Sequence, residues 1–125
     1  MHGNGDILVV EDDSVLNELL GAYVQLAGFQ YRPARDAESA LREVQSRPPA
    51  LVILDLMLPD LDGFEVCRRL RASPATAKVP ILMLTALNTP ESRRRGLECG
   101  ASEYLTKPFD PDTLIEAIRR HAPRR

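Results

Sequence analysis

Five short runs rich in apolar and β-branched residues, at residues 7–10, 29–32, 51–54, 81–84 and 103–106, alternate along the chain with stretches of helical periodicity. This alternation limits the fold more than any other feature. Strands separated by a helix-length crossover pair in parallel, and a parallel sheet needs helices on both faces to be buried. Leu16, Leu19, Leu20, Tyr23, Val24 and Ala27 form one apolar stripe at i, i+3, i+4 spacing, and Ala37, Ala40, Leu41 and Val44 repeat it more briefly. Helix starts are marked by Asp36, by Thr89 before Pro90 and by Asp110 before Pro111, and Pro123 closes the last helix. The reading is five βα units in one domain spanning residues 1–125, with residues 1–5 and 123–125 expected to be flexible ends.

Strand order follows from polarity. The runs ILVV, LVIL and ILML are apolar throughout, as interior strands of a parallel sheet should be, whereas FQYR and SEYLT are mixed and suit edges. Pro33, just after the second run, is tolerable only near an edge. Right-handed crossovers then favour the order 2-1-3-4-5. The expected fold class is α/β: a (βα)5, doubly wound, five-stranded parallel sheet of flavodoxin-like arrangement.

Composition removes several function classes. A net charge of −2 exerts no global pull on nucleic acid or anionic lipid, and no apolar run approaches the roughly 18 residues of a membrane span. The opening MHGNGD lacks the charged and apolar regions of a signal peptide. Cys67 and Cys99 are far apart in sequence with no CxxC pair, so the chain is expected to be cytoplasmic with free thiols. Cys67 shares a helical face with Gly63, Val66 and Leu70 and reads as a packing residue, as does Cys99 beside Gly100.

The polar residues cluster where such a fold binds ligands, beyond the carboxyl ends of the strands. The first run ends in Glu11-Asp12-Asp13, the third in Asp55, the fourth in Thr85 and the fifth in Thr106-Lys107-Pro108. Glu11, Asp12 and Asp55 against Lys107 leave two uncompensated negative charges. At a separation of about 4 Å, each carboxylate pair repels by roughly 4 kcal/mol at an effective dielectric of about 20. A divalent cation restores the balance, and an all-oxygen donor set suits Mg2+, with Mn2+ as a substitute ion, better than zinc. A metal, an amine and a hydroxyl around a free carboxylate form a site suited to phosphoryl transfer.

The segments ILVVEDD, LVILDLMLPDLDGFE, PILMLTA, GLECGASEYLTKPF and LIEAIRR, in this order and at this spacing, resemble the receiver domain of two-component response regulators over nearly the whole chain. The resemblance implies a phosphorylation-dependent switch rather than a turnover enzyme, fed by a sensor histidine kinase or a histidine phosphotransfer protein. It implies that Asp55 is the phosphoacceptor and that Asp12, Asp55 and the backbone carbonyl of Met57 hold Mg2+, with Glu11 acting through water. Lys107, aimed by a cis bond to Pro108, would contact the phosphoryl group, and the small Ala86 would leave room for it. Thr85 and Tyr104 resemble the family's switch pair; the alternative for Tyr104 is an edge-strand aromatic packed on the fourth helix. Asp13 reads as a helix cap or a solvated residue. The output surface would be the face of the fourth helix, fifth strand and fifth helix.

Met57 and Leu87 stand two positions beyond Asp55 and Thr85, where the family tunes loss of the phosphoryl group; neither side chain can orient a water, so slow self-dephosphorylation is expected. Arg93, Arg94, Arg95, Arg119, Arg120, Arg124 and Arg125 lack interleaved aromatics and read as a solvated or partner-facing surface rather than a nucleic-acid site. One version is a phosphorylation-dependent homodimer in which these arginines meet Glu98, Glu103 or Asp110. Three rivals remain in view. An acid-nucleophile phosphatase would need a second acid where Met57 stands, and a flavin module would need a phosphate-cradling loop where EDDSVL stands. A non-catalytic pseudo-receiver acting only as an interaction module would have lost an acid, Asp55 or Lys107. Stand-alone regulator and receiver of a longer protein are both compatible with the sequence, and His2 and His121 carry no motif.

Overall fold

The structure, a computed structural model, describes residues 5–123. Strands and helices alternate as β1 (Asp6–Val10), α1 (Ser14–Leu26), β2 (Gln30–Ala34), α2 (Ala37–Ser46), β3 (Leu51–Leu54), α3 (Gly63–Ala72), β4 (Ile81–Thr85), α4 (Pro90–Cys99), β5 (Glu103–Thr106) and α5 (Pro111–His121). The strands form one parallel sheet in the order β2-β1-β3-β4-β5, as expected from the sequence. Every residue of β1, β3 and β4 is buried.

The period-two alternation of these strands sorts the core into two layers. Leu8, Val10, Val52, Leu54 and Met83 face α2 and α3, whereas Ile7, Val9, Leu51, Ile53 and Leu84 face α1 and α5. Each fully buried aliphatic side chain contributes about 1.5–3 kcal/mol. Cys67 is buried in the first layer together with Gly63, Val66 and Leu70, and Cys99 packs at its margin. In α1, Leu20 and Val24 are buried while Leu19, on the edge of the stripe, is 44% exposed, because α1 meets neighbours over only part of its circumference.

Two local readings need correction. The second strand occupies Gln30–Ala34 rather than residues 29–32, so Pro33 lies inside it. Gly28 adopts a left-handed φ of 99°. Its N–H donates to Gln25 O, and the N–H of Phe29 reaches back to Val24 O, closing α1 with a Schellman turn. Phe29 is the apolar residue that follows such a turn, and its hydrophobicity imitates a strand start. Gln30 N–H donates to Gly5 O and Ala34 O accepts from Glu11 N–H, so even-numbered residues of β2 face β1. Pro33 therefore faces the open edge, where no N–H is needed. Asp110 sits at the N-cap of α5 but its side chain accepts from the Thr113 hydroxyl instead of the backbone. Residues 1–4, 124 and 125, which include His2, Arg124, Arg125 and most of the ends expected to be flexible, lie outside the described residues. No described helix is long and apolar enough to cross a membrane.

A buried ion pair unforeseen from the sequence closes the far end of the sheet. Arg32 and Asp6 are 8% and 9% exposed, and the Arg32 guanidinium meets Asp6 Oδ2 at 3.3 Å and Glu43 Oε1 at 2.8 Å. It also donates to the carbonyls of Glu43 and Arg47, the last turn of α2. Removing Asp6 takes the buried carboxylate from both Arg32 and Arg47, whose Nη2 lies 2.7 Å from Asp6 Oδ2. The buried Arg32 guanidinium then keeps only the half-exposed Glu43 as a counter-charge, whereas exposed pairs are worth little. Asp6→Ala is expected to lower the unfolding free energy by about 3 kcal/mol. Glu38→Ala, which breaks the solvated pair with Arg42, should cost no more than about 0.5 kcal/mol. Urea titration of both variants checks the contrast.

Candidate functional site

The parallel sheet delivers the polar rim. Asp55 N–H donates to Val10 O at 3.0 Å, fixing the acid at the tip of β3 beside the end of β1. Asp55 is 5% exposed and Glu11 3%, while Asp12 is open to solvent. The Lys107 ammonium lies between the two buried acids, 2.7 Å from Glu11 Oε1 and 3.1 Å from Asp55 Oδ2. Lys107 is held by its own N–H, which donates to Thr85 O at 2.8 Å, and its bond to Pro108 is cis, as the resemblance implied. Met57 N–H donates to the other Asp55 oxygen, Oδ1, at 3.1 Å, and the Met57 side chain points into solvent. Gly63 is required where the loop after β3 folds back: a Cβ there would stand 2.5 Å from Leu56 Cα and 2.7 Å from Asp55 O.

Glu11, Asp12 and Asp55 each place a carboxylate oxygen within 4.8 Å of the others. Burial pushes the Glu11 carboxyl above its ordinary range and the Asp55 charge adds to this, while Lys107 and the Asp13 N–H pull it back only in part. Burial alone would lower the Lys107 ammonium; hydrogen bonds and charge from Glu11 and Asp55 outweigh it and hold the group above its ordinary value. The pocket is therefore an acidic cluster with one cation too few. Its donors are all hard oxygens, with no Cys or His among them, which fits a divalent ion of the Mg2+ type.

Thr85, fully buried at the end of β4, accepts the Leu87 N–H on Oγ1 at 3.3 Å. The carbonyl of that same residue accepts the Tyr104 hydroxyl at 2.7 Å. Leu87 thus joins the two side chains that the resemblance pairs. The Tyr104 ring is turned inward and 4% exposed. Gly96 makes room for it, since a Cβ there would meet Tyr104 and Met83 at 2.7 Å. Arg93 lies 5.1 Å from the ring centroid and donates to Tyr104 O. Ala86 is exposed at the rim.

Asn17 was not singled out by sequence, and it braces the site. Its buried amide donates to Val9 O, Glu11 O and Ala34 O and accepts from Tyr31 OH, locking the turn that presents Glu11. A polar residue on the otherwise apolar inner face of α1 was the available signal. Asp13 caps α1 through the Leu16 N–H, and Asp62 caps α3 through the Phe64 N–H.

The response regulator receiver domain family matches residues 7–119, and the chain belongs to that family. It is 40% identical over 113 residues to the DNA-binding dual master transcriptional regulator RpaA of Synechocystis, covering 90% of this chain and 47% of that protein. It is 43% identical over 120 residues to the transcriptional regulatory protein GltR of Pseudomonas aeruginosa, covering 95% and 50%. Among solved structures, chemotaxis protein CheY4 of Vibrio cholerae superposes with a TM-score of 0.88 at 31% identity, over 94% of this chain and 98% of that one. The chain spans about half the length of the curated relatives it matches. Its role is that of a phosphorylation-dependent signalling receiver, a class that modifies itself rather than turning over a substrate.

A raised carboxyl stabilises the fold fully below its unfolded value of 4.5 and loses that contribution as pH rises through its folded value. In metal-free buffer Glu11→Gln should therefore be more stable than wild type at pH 7, with the difference vanishing below pH 4.5. Added Mg2+ should stabilise wild type more than the variant. Urea midpoints with chelator and with Mg2+ across this range test both statements.

Proposed function

We propose that Asp55 accepts a phosphoryl group from a phosphohistidine of a sensor kinase or a phosphotransfer protein. The observation that supports this most is a buried Asp55 carboxylate sharing one ammonium with Glu11, with Asp12 alongside. An Asp55 oxygen attacks phosphorus as the phosphorus–nitrogen bond breaks, and the electron pair leaves on the imidazole nitrogen. Lys107 moves from its carboxylate partners to a phosphoryl oxygen, and Ala86 leaves space beside it. Glu11, Asp12, Asp55 and the Met57 carbonyl would hold Mg2+, which when bound neutralises phosphoryl charge.

Thr85 then has two competing acceptor and donor relationships. When its hydroxyl turns to the phosphoryl group it gives up the Leu87 N–H, and the residue freed is the one that holds Tyr104. The local charge change thereby biases the position of Tyr104 and of α4. The output is read from the α4–β5–α5 face by a partner, an attached domain or a second copy of the chain, without direct nucleic-acid contact by this domain. Arg94–Glu98 and Arg120–Glu103 close within one chain, so a dimer through this face would exchange solvated internal pairs for external ones. Each pair is worth at most about 1 kcal/mol, so this exchange alone favours no strong dimer before phosphorylation.

With Mg2+ and acetyl phosphate, wild type should gain the mass of one phosphoryl group and Asp55→Asn none. The beryllofluoride-treated wild type should sediment as a dimer while the variant stays monomeric. An unmodified wild type would support the pseudo-receiver reading instead, and a modified monomer would remove only the dimer. Since the exposed Met57 and the apolar Leu87 cannot orient a water, the phosphoryl group should persist; Met57→Asn with Leu87→Glu is expected to shorten its half-life at least about tenfold, the equivalent of 1.4 kcal/mol in the barrier. Unchanged decay of the purified phosphoprotein would defeat that assignment.

A further inference from the structure

Two cysteines come together where α3 passes the end of α4. Cys67 is fully buried on α3, and its Sγ lies 3.4 Å from the backbone carbonyl of Cys99, the last residue of α4. Cys99 is half-buried at the margin of the core layer that contains Cys67. The contact between these helices does not depend on the cysteines. Arg71 of α3 donates from Nε and Nη2 to Gly100 O at 3.1 and 2.8 Å, and it also binds the carbonyls of Thr76, Ala77 and Val79. Gly100, at φ 112°, admits this guanidinium, since a Cβ would come within 2.8 Å of Arg71 Nε. The backbone bearing one thiol is therefore clamped against the other.

We propose that Cys67 and Cys99 are a redox modification site, closing to an intrachain disulfide that ties α3 to the C-terminal end of α4. The oxidant is a hydroperoxide, which reaches the more accessible thiol first. The Cys99 sulfur displaces water from hydrogen peroxide and becomes a sulfenic acid, Cys99–SOH. Cys67 Sγ then attacks that sulfur; the S–O bond breaks, and the hydroxyl leaves with the Cys67 proton as a second water. Burial holds the Cys67 thiol up at about 11, which protects it from direct oxidation. The same shift makes its attack on the sulfenic acid slow, so that held proximity carries the second step. The cross-link restrains the helix that carries Arg93 and Gly96 around Tyr104, so an oxidant would damp the output face whatever the state of Asp55.

The full chain is treated with hydrogen peroxide, unfolded, alkylated and digested without reductant. Monomeric wild type should lose both alkylatable thiols together and yield a peptide joining Cys67 to Cys99, with dithiothreitol restoring both. Cys67→Ala should halt at a dimedone-reactive sulfenic acid on Cys99, and Cys99→Ala should leave Cys67 reduced. Amide exchange in residues 90–99 should slow in the oxidised protein. A Cys67 that remains alkylatable after Cys99 is oxidised, or bridges found only between chains, would overturn the proposal. Because these readouts need neither Mg2+ nor acetyl phosphate, a failure of phosphorylation at Asp55 leaves the outcome intact.

Discussion

Two buried carboxylates and one ammonium, set at the ends of three neighbouring or near-neighbouring strands, govern this molecule. Glu11 and Asp55 are both nearly inaccessible to water and share Lys107. Such an arrangement is electrostatically incomplete: burial raises the Glu11 carboxyl, the Asp55 charge adds to this, and Lys107 offsets it only in part. The hydrophobic layers on either side of β1, β3 and β4 supply enough stability to hold the acids together against their repulsion. The fold thereby holds together an excess of negative charge of the kind that a divalent cation would balance.

The part of the molecule around α4 is built differently. Among the residues of α4 only Gly96 is buried, so this helix contributes little apolar anchoring of its own. It is held by polar and aromatic attachments: Arg93 to Tyr104, Arg71 to the carbonyl of Gly100, and the Thr89 hydroxyl capping Ser92 N–H. Elements secured in this way occupy the low end of local stability and move at small cost. The Leu87 residue lies at the junction, bonded to Thr85 through its N–H and to Tyr104 through its carbonyl. Two hydrogen bonds through Leu87 therefore join Thr85, at the rim, to Tyr104, which Arg93 of the lightly anchored α4 contacts in turn. A disulfide at the other end of α4 would act on the same weakly held element from the opposite direction.

Much of this was legible before any coordinates. The alternation of apolar runs and helical stripes specified a parallel doubly wound sheet, and strand polarity specified its order, because interior strands must be apolar on both faces. The acids, the hydroxyl and the lysine at run ends followed from the rule that strand termini on one side of such a sheet converge. Local reading failed at Phe29, whose apolar side chain serves a helix-terminating turn, and in placing Pro33 after the second strand rather than inside it, although Pro33 does lie in an edge strand as expected. It failed again at Asp6 and Arg32, residues of ordinary surface type that are buried because each neutralises the other.

What the amino-acid order determined alone is the class of structure and the chemical inventory of its rim, since periodicity and run boundaries are properties of neighbouring residues. What only the tertiary structure decided is which groups touch: Lys107 bridging Glu11 and Asp55, Asn17 bracing the turn at Glu11, Leu87 joining Thr85 to Tyr104, and Cys67 resting on Cys99. These partners lie far apart in the chain or are joined through the backbone. Their meeting depends on strand register and helix docking, which arise from the summed packing of the whole core rather than from any local stretch.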